Sequence, residues 1–143
     1  MKTIKQLIGA TPRVPVSVAP DDTVLTALKV MAEHGIGAVI VLDGSRVAGV
    51  FSERDYARKV VLCGKNSTDT RVSDVMADKV FYVSPENTVD QVMALMTDKH
   101  IRHMPVLDAQ GKLLAMVSIG DMVKETIAEQ AFTIEQLERY IAG

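Results

Sequence analysis

One segment of this chain is written twice, and each copy closes a hydrophobic strand on Ser-x-x-Asp. The first runs from Val16-Ser17-Val18-Ala19-Pro20 through Thr23-Val24 to Gly49-Val50-Phe51, and ends on Ser52-Glu53-Arg54-Asp55. The second runs from Phe81-Tyr82-Val83-Ser84-Pro85 through Thr88-Val89 to Ala115-Met116-Val117, and ends on Ser118-Ile119-Gly120-Asp121. The offset is 85 − 20 = 65 at the prolines and 121 − 55 = 66 at the acids, so the second copy carries one extra residue. A repeat unit of this kind ordinarily cannot bury its apolar face alone. Two facing copies can, and the seam between them is a natural place for a ligand.

Both copies have the same order of elements. A short extended piece, Val16 to Val18 or Phe81 to Val83, stops at a turn where Pro20 or Pro85 fixes φ and removes a donor. Val24, Ala27, Leu28, Met31 and Ala32 then recur at helical spacing, as do Val89, Val92, Met93 and Met96. Thr23 and Thr88 stand just before these faces as N-caps. Two apolar strands follow in each copy, Ala38 to Leu42 with Arg46 to Phe51 and His103 to Leu107 with Lys112 to Val117. The turn Asp43-Gly44-Ser45 lengthens to Asp108-Ala109-Gln110-Gly111, which absorbs the extra residue. A helix starts at each Ser-x-x-Asp.

Between the copies, Gly64 to Thr70 is polar and aperiodic and reads as a linker. Arg71 to Met76 is a short helix expected to lead into the second copy, as Ile4 to Ile8 leads into the first. The tail from Asp121 to Ile141 is helical in pattern. Thr133-x-x-Gln136 has the form of a capping box, so a break near Phe132 is expected. The reading is an α/β chain of two pseudo-symmetric β-α-β-β-α repeats, each with a small mixed sheet and two helices. Its divisions are residues 8–62, a linker 63–73, residues 74–129 and a helical tail 130–143.

Composition narrows the function classes. With 143 residues, 48% hydrophobic and 24% charged, the chain has the make-up of a water-soluble globular protein. It has no Trp, so Val, Ile, Leu, Met and Ala must build the core. A net charge of −2 argues against a nonspecific nucleic-acid binder, which needs a large basic excess. Cys63 is alone, so no intramolecular disulfide framework exists, and the chain suits a reducing cytoplasm. No apolar run approaches the length of a membrane span, and the first residues lack a signal-peptide core. His34 and His100 follow apolar helix faces and read as helix-end residues, with no ligand spacing that calls for a metal.

The Gly-apolar-apolar-Ser-x-x-Asp ending, in register with Pro-x-x-Thr and with Ile101-Arg102-His103-Met104-Pro105-Val106, resembles the cystathionine-β-synthase (CBS) domain. Two in tandem look like the paired regulatory unit called a Bateman module, over about Thr3 to Glu129. The resemblance implies binding of adenine-containing ligands in clefts between the repeats: AMP, ADP, ATP, NAD(H) or S-adenosylmethionine. It further implies disc-like homodimers and no catalysis by the module itself.

Asp55 and Asp121 match the family's ribose-binding Asp, a short carboxylate one helical turn in from a strand end. Ser52 and Ser118 match its Ser/Thr position near ribose and phosphate, at a helix N-terminus where free N–H groups favour anions. Ser-x-x-Asp is equally an ordinary helix start, with Ser as cap and an acid in the first turn. One residue can serve both roles. Arg102 and His103 are the best candidates for phosphate, Arg as a fixed charged fork and His as a proton-dependent donor, with Ile101 and Met104 completing the motif; the alternative is a solvent-exposed basic pair at a strand entry. The first copy departs here, because Gly37-Ala38-Val39-Ile40 aligns with Arg102-His103-Met104-Pro105. Arg54 and Arg58 are the substitutes available to it, although Arg58 could equally pair with Asp55 along a helix. The leading reading is a regulatory adenine-nucleotide module sensing energy or redox state, cytoplasmic and homodimeric, with a downstream protein partner and no nucleic acid or membrane partner. The alternative is a ligand-free dimerisation or docking scaffold. No nucleophile with a matching base and no P-loop glycines support an enzyme.

Overall fold

The computed structural model describes residues 2–10 and 15–142. The elements run α1 (Ile4–Ala10), β1 (Ser17–Val18), α2 (Val24–His34), β2 (Ala38–Asp43), β3 (Arg46–Ser52), α3 (Glu53–Asp55) and a π-helical segment, Tyr56–Val61. After the linker come α4 (Val72–Val75), α5 (Val89–Lys99), β4 (His103–Leu107), β5 (Leu113–Ser118) and α6 (Ile119–Ala142). In the first repeat β1 pairs parallel to β2, and β2 antiparallel to β3. In the second, β4 pairs antiparallel to β5 while Val83 makes a single parallel bridge to Val106. The mixed α/β architecture read from the sequence is present in both repeats.

Proline chemistry accounts for the smaller second sheet. In the first repeat the Ile40 N–H donates to the Val16 carbonyl at 3.3 Å. The position 65 residues on is Pro105, which has no N–H to give. Pro105 therefore lies buried within β4, rather than on an exposed edge, and the third strand shrinks to the Val83 bridge.

The helix caps follow the sequence. Thr23 Oγ1 accepts from Thr26 N–H, and Thr88 forms a reciprocal capping box with Gln91. Each such cap typically contributes about 1 kcal/mol. α2 stops at Gly35, whose φ is 62°, and α5 stops at His100 in the same left-handed conformation. His100 is the positive-φ residue other than glycine among the described residues, and it faces the cleft described below.

Each repeat has its own core, and each borrows a helix from across the molecule. Val24, Ala27, Met31, Val39, Val41 and Phe51 are buried with Val72 and Val75 of α4. Val89, Val92, Met96, Met104, Val106, Val117 and Met122 are buried with Ile4 and Leu7 of α1. The backbone repeats this exchange: Ser73 N–H donates to Pro20 O at 3.0 Å, and Lys5 N–H to Pro85 O at 2.8 Å. The short helices thus do not lead into the copy they precede. Each docks on the turn of the opposite copy.

The tail also departs from expectation, since α6 is one continuous helix of 24 residues through Phe132. Thr133 Oγ1 donates back to the Glu129 carbonyl at 3.0 Å instead of capping a new start. A threonine inside a helix can satisfy its hydroxyl this way without ending it. Among the described residues no helix is long and apolar enough to cross a membrane.

Candidate functional site

Where β3 turns into α3, Ser52 is extended at φ −120°, ψ 165° and caps the helix, its Oγ accepting from Asp55 N–H at 3.2 Å. Asp55 answers with Oδ2, which takes the Ser52 N–H at 2.9 Å and the Ser52 hydroxyl at 2.9 Å. Its Oδ1 lies 3.3 Å from Lys59 Nζ. The helix-start role is therefore real, and the carboxylate is locked by its own backbone at a fixed height above the strand end. The second repeat has the same box, Ser118 N–H to Asp121 Oδ2 at 2.8 Å and Asp121 N–H to Ser118 Oγ at 3.1 Å.

A cleft of about 350 Å³ opens beside Asp55, between the repeats. Its first wall is the Ser52–Asp55 turn with Val50 and Gly37; its second is Ile101, Arg102 and His103 with His100. The acid of one repeat thus faces the cations of the other. A third wall, Ala77, Lys79, Val80 and Phe81, is held by a two-way bridge in which Val50 and Ala77 exchange N–H···O bonds at 3.0 and 2.9 Å. Arg54 Nη1 spans the seam to the His100 carbonyl at 3.4 Å. Lys79 and Lys99 place their ammonium groups 5.9 and 5.2 Å from the Phe81 ring centre, within cation–π range.

Arg54, Lys79 and Arg102 give the cleft three permanent cations against the carboxylates of Glu53 and Asp55. Val50, Val80, Phe81 and Ile101 supply an apolar strip beside them. Such a mixture suits a ligand with a flat apolar body and an anionic end. His103 is half-buried at the junction. Burial holds it below the ordinary imidazole value; Asp121 pushes it up, Arg102 pushes it down, and Glu53 pushes it up again. A Cβ added to Gly37 would lie 3.6 Å from Glu53 Oε1 and 3.7 Å from the His103 ring, ordinary contact distances, so a methyl group fits between these groups.

Of the residues singled out from the sequence, Ser52, Arg54, Asp55, Ile101, Arg102 and His103 come together in this cleft. Met104 is fully buried in the second core, and Arg58 is exposed outside the lining, with Lys59 rather than Arg58 beside Asp55. Ser118 and Asp121 stand at the matching turn of the other repeat. Ser118 is paired across β4–β5 with His103. The wall 77–81 corresponds, 65 positions earlier, to residues 12–16, and 11–14 lie outside the described residues. Sequence reading missed Lys79, Val80, Phe81 and His100. A Phe in a chain only 4% aromatic, opening the extended piece of the second copy, was the available signal.

The CBS domain model matches residues 6–62 and 72–127. The chain belongs to the CBS-domain family. It is 41% identical over 128 residues to CBS domain-containing protein CBSX3, mitochondrial, of Arabidopsis thaliana, covering 86% of this chain and 62% of that protein. The chain thus spans less than two thirds of that relative's length. A solved CBS-domain protein from Burkholderia ambifaria MC40-6 superposes with a TM-score of 0.86 at 50% identity, covering 90% of this chain and 96% of the other. The CBS pair of protein MJ0100, solved with 5′-methylthioadenosine and S-adenosyl-L-methionine, gives a TM-score of 0.80 at 18% identity, covering 90% of this chain and 98% of the other. At that identity the likeness shows the fold alone.

Proposed function

We propose that this CBS pair is a regulatory module that binds an adenine nucleotide in the Asp55 cleft and acts by binding rather than by catalysis. The observation that carries the reading is the meeting of the Ser52–Asp55 box of one repeat with Ile101, Arg102 and His103 of the other around one opening. Asp55 accepts from the ribose hydroxyls, Arg102 and Lys79 face the phosphate, and the apolar strip with Phe81 takes the base. The adenosine ligands bound by MJ0100 support the ligand class. AMP, ADP, ATP and NAD(H) fit the cationic end better than the positively charged S-adenosylmethionine does. The signal is energy or redox charge, passed to a downstream protein from a homodimer in the cytoplasm, and no metal takes part.

A second reading, the ligand-free scaffold, draws on one observation: both oxygens of Asp55 already have protein partners, Ser52 and Lys59. Thermal unfolding with AMP, ADP, ATP, NADH, S-adenosylmethionine and adenosine separates the two. A ligand at a hundred times its dissociation constant stabilises the folded state by about 2.7 kcal/mol. A rise in unfolding temperature with the phosphate-bearing ligands is expected. No rise with any of the six would leave the scaffold reading standing.

A further inference from the structure

Helix α6 carries an apolar stripe that its own fold does not cover. Met122 is buried and Thr126 packs on Met93, which fixes one side of the helix against α5. On another side Val123, Ile127, Gln130, Ile134, Leu137 and Ile141 recur at alternate steps of four and three. Five of the six are apolar, with exposures of 42% for Val123, 60% for Ile127, 56% for Ile134, 57% for Leu137 and 82% for Ile141. The family match ends at residue 127, so Gln130, Ile134, Leu137 and Ile141 lie beyond the CBS repeat. A spacing of 3.5 residues is the period of a coiled-coil seam, here with isoleucine at every a position from 127 on and Val123, Gln130 and Leu137 at d.

We propose that α6 pairs with α6 of a second copy of this chain as an antiparallel two-helix coiled coil. This deepens the homodimer proposed above by naming its surface. The charge pattern selects the occupant and the direction. Among the positions flanking the seam, Lys124 and Glu138 lie seven residues on either side of Ala131. Antiparallel pairing brings Lys124 beside the partner's Glu138 twice per dimer. Parallel pairing offers no such ion pair, because the opposite flank is Thr126, Thr133 and Tyr140. In the antiparallel register Ile127 meets the partner's Leu137, Ile134 the partner's Gln130, and Ile141 the partner's Val123. The two Gln130 amides then lie four residues apart along the axis, about 6 Å, close enough to bond and fix the register. In the same register Met122 falls opposite residue 142, so each globular body begins where the partner's helix ends. A membrane surface is a poor alternative occupant, since Glu125, Glu129, Glu135 and Glu138 outnumber Lys124 and Arg139 along this segment.

The test uses the full chain with Cys63→Ser, so that introduced thiols stand alone. Ile127→Cys and Leu137→Cys are made separately, oxidised separately, then mixed before oxidation. Ten residues separate the two positions, about 15 Å along a helix, so neither variant can crosslink to itself in the antiparallel register. The expected result is a covalent dimer from the mixture alone. Crosslinking of each variant by itself would overturn the antiparallel arrangement. No crosslink in any tube, with sedimentation still giving a dimer, would overturn α6 as the interface while leaving the homodimer intact. A monomer by sedimentation would end both. Ile134→Asp, checked as folded by circular dichroism, should raise the dimer dissociation constant roughly a hundredfold. An unchanged constant would likewise overturn the pairing.

Discussion

Gly37 and Arg102 hold the same place in the two repeats: the Gly37 carbonyl accepts the Glu53 N–H at 3.0 Å, and the Arg102 carbonyl accepts the Ile119 N–H at 2.8 Å. One backbone bond, made twice, positions a bare Cα in one copy and a guanidinium in the other. The backbone is symmetric while the charge is not. Arg102 reaches the Asp55 cleft, and its counterpart Gly37 lines that same cleft without a charge.

Removing the ribose acceptor should separate binding from capping. Asp55→Ala is expected to lower adenine-nucleotide affinity by about one to two orders of magnitude, the value of hydrogen bonds to a charged acceptor, roughly 1.5–3 kcal/mol. It should also cost about 1 kcal/mol in urea unfolding through the lost capping box. Asp121→Ala should pay the same stability cost through its own box and weaken any binding at the turn it shares with Ser118. Calorimetry with unchanged affinity in both variants would return these acids to capping alone.

Arg102→Ala should reduce the preference for AMP over adenosine, and the remaining affinity should depend less on salt. A charge facing phosphate across a partly open cleft is screened over about 8 Å at physiological ionic strength. Titrations at two salt concentrations check this; an unaltered salt dependence would remove Arg102 from the phosphate side.

The sign of the His103 contribution follows from its surroundings. Burial lowers its folded value below the 6.5 of the free side chain, against the pull of Asp121 and Glu53 and with the help of Arg102. The unfolded chain therefore binds the proton first. Stability linked to His103 is fully present above pH 6.5 and is lost as pH falls through the lowered value. Urea unfolding from pH 8 to pH 5 should show this decline in the wild type and less of it in His103→Gln. Parallel profiles would contradict the assignment.

Gly49→Ala probes the third wall. The added Cβ would come within 2.6 Å of Met76 Sδ and 2.7 Å of the Ala77 carbonyl, so the bridge between Val50 and Ala77 must move. Overpacking of this kind typically costs about 1–3 kcal/mol. The variant should be less stable and should bind nucleotide more weakly, because residues 77–81 hang from that bridge. A loss of stability with unchanged affinity would detach this wall from the site.

Local chemistry made the repeats readable. Pro20 and Pro85, Thr23 and Thr88, and the two Ser-x-x-Asp turns each act within four residues of themselves, so pattern alone located them. The exchange of α1 and α4 between the repeats was not readable, because Ile4 and Val72 are apolar toward whichever core they meet. Two walls of the cleft were visible as motif residues, Ser52, Arg54 and Asp55 on one and Ile101, Arg102 and His103 on the other. The wall of Lys79, Val80 and Phe81 was not, since it reaches the site through a long-range bridge to Val50. Thr133 read as a cap because the sequence pattern of a capping box does not reveal whether the preceding backbone is helical.

The central claim is that one cleft, built from Asp55 of the first repeat and Arg102 of the second, takes a phosphate-bearing adenine nucleotide. Titration calorimetry of AMP and of adenosine into the wild-type chain and into Asp55→Ala tests it most directly. The account predicts a site that prefers AMP over adenosine and weakens by about one to two orders of magnitude in Asp55→Ala. Two identical, independent sites that persist in Asp55→Ala, or no binding of AMP at all, would contradict it.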